Sequence, residues 1–60
     1  MKLLVIDTWN NEAHIFNYPN ELEQAPEAVE NFVASTKQVY TPFGNCHWQL
    51  FENFEIKIHG

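Results

Sequence analysis

Only one stretch of this chain carries a clear helical period, and what flanks it reads as strand or turn. The stretch is Ala25 to Lys37, APEAVENFVASTK. Pro26 suits the first turn of a helix, where its missing N–H leaves nothing unpaired. Glu27 and Glu30 follow near the positive N-terminal end, and Lys37 stands near the negative C-terminal end. Ala25, Val29, Phe32, Val33 and Thr36 recur at three- and four-residue spacing and so share one face. Glu23, Glu27 and Glu30 fall on another. An amphipathic helix of this kind needs an apolar surface to lie on, and the rest of the chain has to supply it.

Lys2 to Trp9 is apolar and β-branched apart from Lys2, Asp7 and Thr8, which predicts a strand. Asn10-Asn11 is turn chemistry, because asparagine tolerates positive φ. Ala13 to Tyr18 reads as the return strand. A two-residue loop at Asn10-Asn11 pairs Trp9 with Glu12, Asp7 with His14, Ile6 with Ile15 and Val5 with Phe16. Side chains alternate along a strand, so this register sorts the hairpin into two faces. One carries Leu4, Ile6, Thr8, Ala13 and Ile15. The other carries Leu3, Val5, Trp9, Phe16 and Tyr18, with Asp7, Glu12 and His14 among them.

Pro19-Asn20 ends the hairpin, and a turn is expected over Asn20–Gln24, since Pro26 breaks any helix begun earlier. Thr41 to Asn45, TPFGN, is a loop by composition. Cys46 to Phe51 fits either period, with strand the favoured reading. Asn53 to His59 alternates strictly, Phe54, Ile56 and Ile58 against Asn53, Glu55, Lys57 and His59, and predicts a half-buried strand. The expected fold is α+β: an antiparallel sheet of the N-terminal hairpin plus one or two C-terminal strands, with one helix packed on it, in the order ββαβ(β). The small aliphatic hairpin face suits close helix packing and should lie under Val29, Phe32 and Val33. The aromatic face is then left for the Phe43–Phe51 segment or for another chain to cover.

Sixty residues make a single domain, 1–60, and a chain this short buries only about 60% of its unfolded surface. Its one cysteine, Cys46, allows no intramolecular disulfide, which points to a reduced, cytoplasmic setting. Nothing approaches the roughly 18 apolar residues of a membrane span. The opening MKLLVIDTW meets Asp7 early and lacks a small-residue cleavage site, so it reads as a strand and not a signal peptide. Beginning at Met1, the chain reads as a complete small open reading frame. Eight acidic residues against three lysines and no arginine give a formal charge of -5. That balance disfavours nucleic acid and anionic membranes and favours a basic protein surface.

No motif for catalysis, a metal or a cofactor stands out. His14, His47, His59 and Cys46 include metal-ligand types, but adjacent Cys46 and His47 point to opposite faces of a strand. Asp7 and His14 form a cross-strand pair in the two-residue register, with no nucleophile placed beside them. Gly44 and Gly60 are the only glycines, which excludes a phosphate-binding loop. Two surfaces remain as candidates for a partner. One is the acidic set Glu23, Glu27 and Glu30. The other is the aromatic set Trp9, Phe16, Tyr18, Trp48 and Phe51, of residue types that dominate binding hot spots, with Trp9, Phe16 and Tyr18 as the expected contacts.

The element order and acidity resemble those of small phage-encoded inhibitors of host enzymes, including the one that blocks bacterial RNA polymerase. The expected function is a small acidic protein–protein interaction module that binds and inhibits or modulates another macromolecule. A phage or mobile-element inhibitor of a host nucleic-acid enzyme, defence protein or toxin fits that reading. It implies no enzyme activity, no cofactor, no nucleic acid and no membrane partner. The alternative is a self-associating structural module, a homodimer through the aromatic sheet face; a metal-binding micro-domain is less favoured.

Overall fold

The structure is a computed structural model that describes residues 1–60. Its elements are β1 (Lys2–Asp7), β2 (Glu12–Asn17), α1 (Pro26–Thr36), a short 3-10 turn at Phe43–Asn45 and β3 (His47–Phe51). All strand pairs are antiparallel and the sheet order is β2-β1-β3. The fold is thus a small α+β unit of order ββαβ, and Cys46–Phe51 resolves as strand from His47 onward. No helix is long and apolar enough to cross a membrane.

The hairpin turn differs from the two-residue reading. Asp7 pairs with Glu12, Ile6 with Ala13 and Val5 with His14, so residues 8–11 form the loop. The cause is the Asp7 side chain. Its Oδ1 accepts the backbone N–H groups of Trp9 at 3.1 Å and Asn10 at 3.3 Å. An aspartate that binds the backbone two and three residues on builds a turn of its own. Asn11 then takes the positive φ, 56°, that closes the loop. The expected Asp7–His14 pair does not form; His14 instead lies 3.1 Å from Glu12 on the same strand.

The shift is by two residues, so the sorting of side chains into faces survives it. The helix, however, lies on the opposite face from the one expected. Leu3, Val5, Tyr18, Val29 and Val33 form the buried core, with Phe16, Phe32, Trp48 and Leu50 packed against it. The aromatic face is therefore the covered one. Valines at 29 and 33 are short, and the gap between helix and sheet is filled by large rings from both layers. Phe32 meets Tyr18 edge-on with ring centroids 4.9 Å apart, and Phe16 at 6.1 Å. Tyr18 can be buried because its hydroxyl donates to the carbonyl of Glu23. The uncovered face carries Leu4, Ile6, Ala13 and Ile15, with Ile6 38% and Ile15 43% exposed.

Residues 54–60 form no strand. A two-residue return onto β3 needs positive φ at one or both turn residues, and neither Glu52 nor Asn53 has it. Ile56 and Ile58 stay 61% and 90% exposed. At the helix ends, Pro26 opens the first turn and Lys37 closes the last in the left-handed region at φ 56°, its N–H donating to the carbonyl of Ala34. Lys37 thus ends the helix as its cap, and no basic side chain stands in the last turn.

Candidate functional site

The acidic candidates sit where a partner can reach them. Glu23 precedes the helix, Glu27 lies in its first turn and Glu30 one turn on, and all are exposed. Glu23 is fixed in place through its own backbone, because its carbonyl accepts the buried Tyr18 hydroxyl. The only contact between an acidic and a basic side chain is Glu12 with His14, so no lysine neutralises Glu21, Glu23, Glu27 or Glu30. A row of uncompensated carboxylates on a fixed support sets up a negative potential over this side of the molecule.

The aromatic candidates divide. Trp9, in the 8–11 loop, is 64% exposed. Tyr18 is only 2% exposed and belongs to the core. Phe16 is half-buried, with His14 stacked parallel to it at 5.9 Å and Phe32 edge-on to it. Phe16 and Tyr18, expected on the face away from the helix, thus support the helix instead, and of the three only Trp9 presents its ring to solvent. The surface that sequence reasoning passed over is the aliphatic sheet face of Leu4, Ile6, Ala13 and Ile15.

Asp7 is the other residue whose role was missed. It is fully buried yet fully partnered. Besides the two backbone bonds, its Oδ2 accepts Asn10 Nδ2 at 2.8 Å and Thr41 Oγ1 at 2.6 Å, and Asn10 Nδ2 also reaches Thr41 Oγ1 at 2.9 Å. The bond from Thr41 is the main cause that holds the Asp7 carboxyl below its ordinary value of 3.8, with Asn10 and Trp9 adding to it against the opposing effect of burial. The Asp7-x-x-Asn10 spacing signals such a turn; nothing local in the sequence names Thr41 as the fourth donor. This cluster is structural, joining the hairpin tip to the segment that leads into β3.

Chemistry elsewhere is sparse. Burial, and then the charge of Asp7, push the Cys46 thiol above its ordinary value of 9.0, the reverse of what a nucleophilic thiolate needs. No three histidine, cysteine or acidic side chains gather in a metal-binding group. Chelator is accordingly expected to leave the melting temperature unchanged, and a large downward shift would restore a histidine–cysteine metal site to consideration. Compared with known proteins, the chain matches no family model, no curated protein and no solved structure, so its function has to be argued from its own residues.

Proposed function

We propose that the chain is a small acidic interaction module that binds and inhibits or modulates another protein, one with a basic surface, as phage and mobile-element inhibitors of host proteins do. One observation carries this reading: Glu21, Glu23, Glu27 and Glu30 face solvent with no basic side chain of the molecule paired to them. Intramolecular pairing would have consumed that potential; left open, it steers a complementary surface into contact. Trp9 adds an exposed ring of the type that anchors interfaces.

The test compares wild type with a Glu23→Gln, Glu27→Gln, Glu30→Gln variant as bait for proteins of a cell lysate, followed by surface-binding kinetics on whatever is retained. The three positions are exposed and bear on no core contact, so the fold should be unaffected. The retained protein should have a basic surface. The variant should associate about tenfold more slowly at low salt and lose most of its salt dependence. Trp9→Ala keeps the backbone N–H that Asp7 uses and should act mainly by speeding dissociation. Kinetics of both variants indistinguishable from wild type would remove these surfaces from the interface.

A further inference from the structure

Residues 54–57, Phe-Glu-Ile-Lys, carry the alternation of a strand but make no strand pairing, and only Phe54 is held, its ring edge-on to Phe51 with centroids 5.1 Å apart. The outer edge of β2 is also unpaired, since β2 is at one border of the sheet. It has no proline, no lysine and no bulge, and its one charged residue, Glu12, stands at its end. The two segments complement each other. Read in opposite directions, Glu12-Ala13-His14-Ile15 faces Lys57-Ile56-Glu55-Phe54. In that register Lys57 stands across from Glu12 and Glu55 from His14 on the helix side. Ile56 stands across from Ala13 and Phe54 from Ile15 on the uncovered side, next to Leu4 and Ile6. The opposite charges of Lys57 and Glu12, a carboxylate–imidazole contact between Glu55 and His14, and the apolar groups directly across the pair each stabilise it.

The segment cannot reach this edge in its own molecule. Phe51 ends β3 in register with Lys2, on the far border of the sheet from the outer edge of β2. Crossing to a new strand beyond β2 takes three strand spacings, about 14 Å. The three peptide steps from Phe51 to Phe54 span at most about 11 Å. A two-residue return to the near edge, on β3, is not made, since the φ angles of Glu52 and Asn53 are both negative. On a second copy's β3 edge, Glu55 and Lys57 would find no ionisable group on the helix side, where Trp48 and Leu50 stand. On a second copy's β2 edge they find Glu12 and His14.

We propose that residues 54–57 of one copy add as a fourth, antiparallel strand to the free edge of β2 in a second copy, reciprocally, to give a closed two-fold dimer with Lys57 opposite Glu12 and Glu55 opposite His14. The exchange satisfies two exposed strand edges and lengthens the aliphatic face with Phe54 and Ile56. It is independent of the acidic helix face, so either can fail without the other.

Sedimentation of the full chain over a concentration series tests it. Wild type should reach twice the monomer mass. Lys57→Glu should raise the dissociation constant about tenfold or more, because it turns attraction into repulsion at two symmetric sites. Adding Glu12→Lys to Lys57→Glu should restore the dimer. Ile56→Pro, which removes an N–H from the added strand and lies outside every element of the monomer, should give a monomer with unchanged circular dichroism. A wild type that stays monomeric at its highest soluble concentration overturns the proposal. So does a dimer indifferent to Ile56→Pro, or a charge swap that fails to restore association.

Discussion

Leu3→Ala is expected to remove a large share of the protein's stability and to move its urea midpoint far down. Leu3 is completely buried in β1, the middle strand, with Phe16 and Leu50 beside it in register. The helix above supplies only Val29 and Val33 to the fully buried set, so five residues form the centre of the core and each is a large share of it. Truncating a buried leucine to alanine costs about 2–5 kcal/mol, part transfer and part cavity. A chain of this length has roughly 3–9 kcal/mol of stability in total. Neighbouring elements cannot easily close over the cavity, because both flanking strands are held by the ladder. Urea titration followed by circular dichroism measures the loss. Ile6→Ala, one face over and 38% exposed, is the control and should cost about 1 kcal/mol or less. Similar midpoints would mean that Leu3 is no more a core residue than Ile6, and a lower midpoint for Ile6→Ala would mean that the covered and uncovered faces are exchanged.

Asp7→Asn is expected to lower the melting temperature at neutral pH and to do so in a pH-dependent way. All four partners of the carboxylate are donors: the N–H groups of Trp9 and Asn10, the amide of Asn10 and the hydroxyl of Thr41. An asparagine keeps the shape but turns one acceptor oxygen into an amide that faces donors. The carboxyl is held below its ordinary 3.8 in the folded protein, first by Thr41. A depressed carboxylate contributes stability that is complete above its unfolded value and is lost as pH falls from there through the folded value. Wild type should therefore lose stability steeply below about pH 4. Asp7→Asn should show a shallower acid limb and approach wild type at the acid end. Parallel curves across the whole range would show that Asp7 makes no pH-linked contribution.

The sequence patterns carried the element order and the helix limits, and they failed where information from the third dimension decides. Side-chain parity has a period of two, so a hairpin register in error by two residues still sorted Leu3, Val5 and Phe16 from Leu4, Ile6 and Ile15. Parity does not say which face a helix will cover. Small aliphatic side chains on the sheet invite close packing, but Val29 and Val33 are themselves small. The rings of Phe16, Tyr18 and Phe32 complement them better, and the Tyr18 hydroxyl finds the Glu23 carbonyl only on that side. Strict alternation from Asn53 to His59 predicted a strand. The missing ingredient was turn chemistry at Glu52-Asn53, where a glutamate does not take positive φ readily. Of the proposed contact residues, Glu23, Glu27, Glu30 and Trp9 are exposed, as surface chemistry requires, whereas Phe16 and Tyr18 depended on the wrong choice of face.

The sheet order β2-β1-β3 also dictates a sequence of events in folding. β1 meets β2 through a local loop, and hairpins close within about 1–10 μs. Its other neighbour, β3, is separated from it by the whole of β2, the helix and the loop at residues 38–46. That pairing has to bear the entropy of closing a long loop, the slower kind of step. Until it is made, one edge of the most apolar strand in the molecule stays unpaired. Pairing of β3 therefore completes the hydrophobic layer, and the segment that leads into it carries Thr41, the fourth donor of the buried carboxylate.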